Sequence, residues 1–381
     1  MDEQQLSAIR THLSGLGRDW QPADVAAALR EQRLIVSDAL LLSTIDALRR
    51  SSVGAGPLEA LLHLPGVTDV LVNGPDQVFL DRGRGLERTR IRFADDAEVR
   101  RLAARLAAGA GRRLDDASPC VDARLADGTR LHAVLAPIAE PGTCLSLRIP
   151  AKGGMTLSDW VSSGSIGPAM ADVLAGLVAA KAAFLISGGT GTGKTTLLAS
   201  LLSLVPPDQR LLIVEDSREL TPVHPHCVRL EARHANAEGA GAVSLTDLVR
   251  QALRMRPDRL VLGEVRGAEL TDLLMALNTG HEGGCGTVHA NSCSDVPSRL
   301  EALAALGGLG RDAAHAQIGS ALHAVVHLRR GPDGRRTVEQ VAAIQRGDDG
   351  FVRVRPAVTA HGTDLEAGPG LDELRQRTGL S

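Results

Sequence analysis

Residues Gly188–Thr195 match the spacing G-x-x-x-x-G-K-[ST] of a phosphate-binding loop. The segment follows an apolar run, Phe184–Ser187, and precedes a helix-forming run, Thr196–Leu204, which is the strand–loop–helix context that the motif requires. Glycines let the backbone turn tightly so that several N–H groups point at a phosphate, and the start of the helix adds its dipole. We therefore expect Lys194 to contact the β- and γ-phosphates of a nucleotide and the Thr195 hydroxyl to bind Mg²⁺.

The candidate nucleotide-binding residues are Gly188, Gly189, Thr190, Gly191, Thr192, Gly193, Lys194, Thr195 and Thr196. Two later apolar runs, Leu211–Glu215 and Leu260–Glu264, each end in a glutamate, at the strand ends where ligands bind in open α/β sheets. One such carboxylate can hold the magnesium shell and another can position the attacking water, although a carboxylate at a strand end can also cap the next helix. No N-K-x-D tetrapeptide is present, which disfavours a GTPase of the Ras type.

A second possible site is a stripe of soft metal ligands. His281, Cys285, His289 and Cys293 recur at every fourth residue and would share one face of a continuous helix. Glycines within this window oppose a helix, and residues 286–289 are more typical of a short strand, so a zinc site is disfavoured. The five cysteines form no C-x-x-C pair, which is typical of reduced thiols.

Composition limits the partners of this 381-residue chain. The formal net charge of −3 and the isoelectric point near 6.5 predict no overall basic field, so direct binding to nucleic acid is not expected. No apolar run reaches the roughly 18–20 residues of a membrane span, and the first residues do not resemble a secretory signal. These features indicate a cytoplasmic protein.

The order of apolar runs and turns predicts two folded domains with extensions. The regions are a helical extension at 1–52, an α+β domain at 53–149, a linker at 150–165 around Gly153-Gly154, an ATPase-type α/β domain at 166–358 and a flexible tail at 359–381. Predicted strands of the first domain include Val70–Val72, Val78–Leu80, Val121–Leu125, Leu131–Leu135 and Leu145–Ile149. Those of the second include Ala183–Ser187, Leu211–Glu215, Leu260–Gly263 and Thr287–His289.

Four segments in a fixed order resemble the type II/type IV secretion and pilus assembly ATPases over about residues 53–355. Besides the phosphate loop, Ile213–Leu220 looks like the aspartate box of that family, Arg254–Arg266 is similar to its Walker B segment, and Thr279–Asn291 is similar to its histidine box. Upstream, Val67–Pro75 and Ser118–Arg130 resemble the tight-adherence (CpaF-like) branch in particular. The four-cysteine zinc insert of the type II branch is absent from the sequence, which favours the same branch.

The resemblance implies a RecA-like P-loop NTPase domain, a smaller α+β (PAS-like) N-terminal domain, and a homohexameric ring with ATP between the two domains. It implies that Glu215 activates the attacking water, that Glu264 lies on the Mg²⁺ side and that His289 senses the γ-phosphate or an interface. The arginines that would approach the phosphates from the N-terminal domain are Arg124, Arg130 and Arg148. One departure is Gly284-Cys285-Gly286, which replaces the usual serine, leucine and threonine, and we expect it to loosen the histidine-box strand.

The implied function is that of a cytoplasmic motor ATPase that drives pilus assembly or protein secretion through an inner-membrane platform protein, with membrane contact only through its partners. Closure and opening of the two domains would transmit the work of ATP hydrolysis. A conjugation or DNA-transfer ATPase of the same family is one alternative. An ATP-dependent regulatory protein with negligible hydrolysis is the other, and two strand-end glutamates argue against it.

Overall fold

The structure is a computed structural model of the chain. It describes residues 5, 8–9, 12–13, 21–32, 34, 36–38, 40–45, 54–83, 85–150, 154–233, 235, 240–331 and 333–379. Of the predicted features, Gly153 and much of the helical extension lie outside these residues. The chain forms two compact units, residues 1–151 and residues 152–381. No helix in the described ranges is long and apolar enough to cross a membrane.

The first unit contains a six-stranded sheet with the order β3-β2-β1-β6-β5-β4, in which all neighbours are antiparallel. Its strands are β1 (Asp69–Asn73), β2 (Val78–Asp81), β3 (Leu86–Arg88), β4 (Cys120–Arg124), β5 (Arg130–Val134) and β6 (Cys144–Arg148). Buried and more exposed residues alternate along β1 and β2, so one face of the sheet carries the core.

Among the residues of the first unit that the structure describes, the helices include α1 (Pro22–Glu31), α2 (Glu59–Leu62) and α3 (Asp96–Gly109), and residues 40–45 are also helical. Helix α3 begins at an Asp95 cap, whose carboxylate accepts a hydrogen bond from the Glu98 N–H, and its apolar side packs on the sheet. In the N-terminal extension, α1 contributes Val25 and Leu29 to a small separate core. The helical extension is therefore folded where it is described.

The second unit contains a nine-stranded sheet with the order β15-β14-β13-β12-β7-β11-β10-β8-β9. The run from β12 to β9 is parallel, and the other neighbours are antiparallel. The strands are β7 (Phe184–Gly188), β8 (Leu211–Glu215), β9 (Cys227–Glu231), β10 (Arg259–Val265), β11 (Cys285–His289), β12 (Ala324–Arg330), β13 (Arg336–Arg346), β14 (Val352–His361) and β15 (Asp364–Ala367). All residues of β7 and β8 are buried, as in a parallel sheet that is covered on both faces.

Helices cover both faces of this sheet. They are α4 (Leu157–Ser162), α5 (Pro168–Ala179), α6 (Lys194–Leu202), α7 (Leu245–Leu253), α8 (Glu269–Asn278), α9 (Val296–Leu306), α10 (Arg311–Ala321) and α11 (Leu371–Thr378). One core is built on α4, α5 and α6, and the other on α7 to α10. This is the RecA-like α/β architecture that the sequence predicts, with β7 in the interior of the sheet.

The structure differs from the sequence-based expectation at two places. Helix α4 lies within the expected linker, where Thr156 and Asp159 form a capping box and Trp160 is buried in the core. The expected flexible tail contains β15 and α11 instead. There Leu374 is buried, and the Arg377 guanidinium donates to the carbonyl oxygens of Ile344 and Gly319, which lie 2.5 and 3.0 Å away.

Candidate nucleotide site

The phosphate loop connects the C-terminal end of β7 to the first residue of α6. Three of its glycines have positive φ, namely Gly188 (150°), Gly191 (72°) and Gly193 (94°), a conformation that side-chain-bearing residues rarely adopt. Space restricts Gly188 further. A β-carbon built there would lie 2.6 Å from the carbonyl oxygen of Leu328 and 2.8 Å from the Thr192 hydroxyl oxygen. The motif glycines are therefore required by the shape of the loop.

Lys194 lies at the centre of this loop. Its Nζ donates to the carbonyl oxygens of Gly188 and Gly189, at 2.9 and 2.8 Å, and the residue is 9% exposed. Burial lowers the pKa of the Lys194 ammonium, the carboxylates of Glu264 and Glu219 oppose that shift, and Arg266 adds to it. The charges of two carboxylates and one guanidinium therefore act on the loop lysine, whose direct partners are the two backbone carbonyls.

Glu264 stands near the end of β10 and is half-buried. Its Oε2 accepts a hydrogen bond from Arg266 Nε at 2.7 Å, and the Arg266 NH2 group forms an ion pair with the same oxygen. Thr195 and Thr196, which directly follow Lys194, are half-buried in the first turn of α6. A threonine hydroxyl and a carboxylate are hard oxygen ligands of the kind that Mg²⁺ prefers.

Glu215 is more enclosed than Glu264. The residue is 2% exposed, and its Oε1 accepts from the N–H groups of Glu219 and Leu220 at 2.8 and 2.9 Å. Its Oε2 has no hydrogen-bond partner within the described ranges. Burial raises the pKa of the Glu215 carboxyl, the Leu220 and Glu219 N–H groups oppose the shift, and the Glu219 charge adds to it. The side chain packs against Gly263, where a β-carbon would lie 2.6 Å from Glu215 Cγ.

Two charged residues near Lys194, Glu219 and Arg266, had no separate role in the sequence analysis. Glu219 is exposed, follows Glu215 by four residues and acts electrostatically on both Lys194 and Glu215. Both lie within segments that carry the family resemblance. The signal in the sequence was a further charged residue in each box, four residues after Glu215 and two residues after Glu264.

The histidine-box strand β11 lies between β7 and β10, and the register pairs its last residue, His289, with Gly188. His281 lies in the preceding turn, and its ring Nδ1 is 3.3 Å from the Ala276 carbonyl oxygen. Residues 281–293 therefore do not form a continuous helix. Burial raises the pKa of the Cys285 and Cys293 thiols to about 12, so both cysteines are protonated at neutral pH.

The packing of β11 does not support the expectation that the Gly284-Cys285-Gly286 sequence loosens this strand. All five residues of β11 pair with β7, and a β-carbon on Gly286 would lie 2.8 Å from the Leu262 carbonyl oxygen. A β-carbon on Gly284 would lie 2.6 Å from Leu277 Cδ2. Neighbouring atoms fill the space that the missing side chains leave.

The three arginines predicted to reach the phosphates lie in one row within the first unit. Arg124 on β4 pairs with Arg130 on β5, and Arg130 pairs with Arg148 on β6. Directly paired residues share one face of a sheet, with neighbouring Cβ atoms roughly 5 Å apart. The fold therefore gathers three cations that are separated in the sequence.

Comparison with known proteins confirms the family. Residues 51–362 match the model of the family described as type II/IV secretion system protein. The chain belongs to that family. This member is an ATPase of the secretion and conjugation class, and it uses a nucleotide.

Two relatives are similar over most of their length. A Mycobacterium tuberculosis protein that is provisionally named a conjugal transfer protein is 51% identical over 349 residues, covering 90% of this chain and 99% of the relative. The type IV secretion system protein VirB11 of Brucella suis is 31% identical over 297 residues, covering 71% and 82%.

Solved structures support the fold. The ATPase DotB of Yersinia pseudotuberculosis aligns with a TM-score of 0.54 at 16% identity, covering 91% of this chain and 83% of that one. The pilus retraction motor PilT with bound ADP aligns with a TM-score of 0.51 at 17% identity, covering 82% and 83%.

Proposed function

We propose that this secretion-family ATPase hydrolyses Mg-ATP at the phosphate loop and uses the energy to drive pilus assembly or protein secretion. The observation that carries the proposal is the set of charges around Lys194. A buried lysine on a glycine loop, with Glu264 and Glu219 close enough to act on it, suits a nucleotide polyphosphate and a divalent cation. Mg²⁺, held by Thr195 and through water by Glu264, would neutralise charge that develops on the phosphates.

The remaining roles divide between binding and catalysis. Lys194 would exchange its two backbone carbonyl partners for phosphate oxygens, and the loop N–H groups would bind the β-phosphate. Glu215 remains the proposed residue that positions the attacking water, and His289 the proposed sensor beside Gly188. Glu219 is a second candidate for the water-positioning carboxylate because it is exposed and close to Lys194, whereas Glu215 is enclosed.

At the level of assembly we propose the organisation that the family resemblance implies. The N-terminal α+β domain, residues 53–149, would bring Arg124, Arg130 and Arg148 to the phosphates of a nucleotide bound to the ATPase domain, residues 166–358. Closure and opening of the domains about the connector at Gly153-Gly154 would accompany turnover. A homohexamer would act in the cytoplasm on an inner-membrane platform protein. Membership of the tight-adherence branch of the family is part of this proposal.

The central test is ATP hydrolysis by the purified chain, measured with its mass in solution over a range of concentrations. Lys194→Ala should abolish Mg²⁺-dependent turnover because it removes the phosphate contact of the loop. Lys181→Ala is a matched control, since Lys181 is an exposed lysine in the same unit. Wild-type turnover should rise with concentration as hexamers form. Undiminished turnover in Lys194→Ala would refute the proposed site.

Two substitutions separate the candidate water-positioning residues. Glu215→Gln and Glu219→Gln each remove one carboxylate, and loss of the true base should lower kcat by about 10²–10⁴-fold while ADP still binds. Glu231→Gln is the control, because Glu231 pairs with Glu215 in the sheet register and its carboxylate binds Arg218. Near wild-type turnover in Glu215→Gln would assign the role to Glu219 if Glu219→Gln is inactive.

A second candidate function is conjugal DNA transfer, which the name of the relative with 51% identity favours. This function would use the same ATPase site and a different apparatus. Stimulation of ATP turnover by DNA, decreasing as salt is raised, would support it. A turnover rate that DNA leaves unchanged and that a platform-protein domain stimulates would favour pilus assembly or secretion.

A further inference from the structure

A buried hydrogen bond lies directly behind the phosphate loop. Ser187, the residue before Gly188, is 0% exposed, and His327 on the adjacent strand β12 is 4% exposed. The two residues are partners in the parallel register of β7 and β12, and Ser187 Oγ lies 2.8 Å from His327 Nδ1. No role in the proposed reaction uses this pair.

The groups around His327 define its protonation state. Burial lowers the pKa of the His327 imidazole, Glu339 and Asp295 oppose the shift, and Lys194 adds to it. The imidazole is therefore neutral at neutral pH. Glu339 Oε2 on β13 lies 4.0 Å from Nε2, which favours the proton on that nitrogen. Nδ1 then accepts the hydrogen bond that the Ser187 hydroxyl donates.

The same strand also contacts the loop itself. The carbonyl oxygen of Leu328, the residue after His327, lies where a β-carbon on Gly188 would be only 2.6 Å away. The Gly188 carbonyl in turn accepts from Lys194 Nζ. A continuous set of contacts thus runs from His327 to the lysine of the loop.

We propose that Ser187 and His327 form a positioning pair that holds the first peptide groups of the phosphate loop in the geometry that binds the nucleotide β-phosphate. This inference rests on the proposed function of the loop. Because both side chains are buried behind the loop, the pair would act without contacting the nucleotide. The pair would restrict the loop before the nucleotide binds, so that less conformational entropy is lost on binding. Preorganised donors bind an anion more tightly than mobile ones for this reason.

The test measures the affinity for Mg-ADP and the melting temperature of each variant in the full-length chain. His327→Ala and Ser187→Ala should each weaken ADP binding by about tenfold, equivalent to about 1.4 kcal/mol. In His327→Asn the amide oxygen can take the place of Nδ1, so its affinity should remain within about threefold of wild type.

A matched control is available at His315. This residue is also 4% exposed, and it lies between a carboxylate, Glu301 at 3.0 Å, and a hydrogen-bond partner, the Val352 N–H at 3.0 Å. His315→Ala should therefore lower the melting temperature without weakening ADP binding. A general loss of stability would affect both histidine variants alike, whereas a positioning role predicts weaker binding only for His327.

Each outcome has a definite meaning. ADP binding at wild-type affinity in folded His327→Ala and Ser187→Ala would overturn the inference, as would equal weakening in His315→Ala. If His327→Ala does not fold, Ser187→Ala decides the question by the same criterion. Failure of the wild-type chain to bind ADP, or unchanged binding in Lys194→Ala, would instead refute the proposed site, so the two failures are distinguishable.

Discussion

The substitution Gly286→Ala would test how closely the histidine-box strand β11 is packed. A β-carbon at this position would lie 2.8 Å from the Leu262 carbonyl oxygen, about 0.7 Å inside the roughly 3.5 Å separation of ordinary contacts. Strand β10 cannot yield freely, because Leu262 is also paired with Val214 on β8. Gly286→Ala should therefore force β10 and β11 apart and lower the free energy of unfolding, as overpacking of a core does.

Overpacking of this kind costs about 1–3 kcal/mol, and about 2 kcal/mol corresponds to a fall of about 4–8 °C in the melting temperature of a unit this size. Circular dichroism would follow unfolding of the second unit, and ATP turnover below the transition would report the site, because β11 ends at His289 beside Gly188. We expect both the melting temperature and the rate of ATP turnover of Gly286→Ala to fall below the wild-type values.

The matched substitution is Gly310→Ala. No atom lies within 4 Å of a β-carbon built on Gly310, so this change introduces no clash. Gly310 precedes α10 as its N-cap, and alanine at such a position should alter stability by less than about 1 kcal/mol. A Gly286→Ala protein that melts at the wild-type temperature would refute the conclusion that β11 is closely packed.

Three further predictions concern buried groups. Burial raises the folded-state pKa of the Glu215 carboxyl, so its ionisation opposes folding as pH rises through that pKa. Glu215→Gln should therefore have a higher melting temperature than wild type at pH 8 but not at pH 4. If the variant and wild type melt at the same temperature at pH 8, this prediction is contradicted. Arg377→Ala leaves two backbone carbonyls without their donor and should lower the free energy of unfolding by about 1–3 kcal/mol in urea titrations, whereas an unchanged midpoint would show that α11 docks without it. A thiol reagent at pH 8 should label exposed Cys120 rapidly and Cys285 and Cys293 only in denaturant, as mass spectrometry of the labelled peptides would reveal.

The phosphate loop was predictable because its determinants are local. A buried strand, a glycine-rich turn and a helix start are consecutive in the sequence, and each positive φ at Gly188, Gly191 and Gly193 falls on a glycine. The strands that carry Glu215 and Glu264 were visible as apolar runs for the same reason. Their shared edge followed from the rule for parallel α/β sheets.

The C-terminal helix and the short linker helix were harder to predict. Both are short, and each is held by contacts that are distant in the chain, such as Arg377 with Gly319 and the Trp160 Nε1 group with the Ser200 hydroxyl. A polar, glycine-rich segment is typical of a mobile tail when it is considered alone. Tertiary hydrogen bonds and one buried leucine, Leu374, order this one.

The sequence by itself determined the family, the α/β class and the phosphate loop, since these depend on residues close together in the chain. Only the tertiary structure decided which distant groups meet. It placed His327 against Ser187 across 140 residues, enclosed Glu215 while leaving Glu219 exposed, and fitted the Arg259 side chain against Gly283. Such contacts depend on sheet order and close packing, and no local pattern of residue types specifies which strands become neighbours.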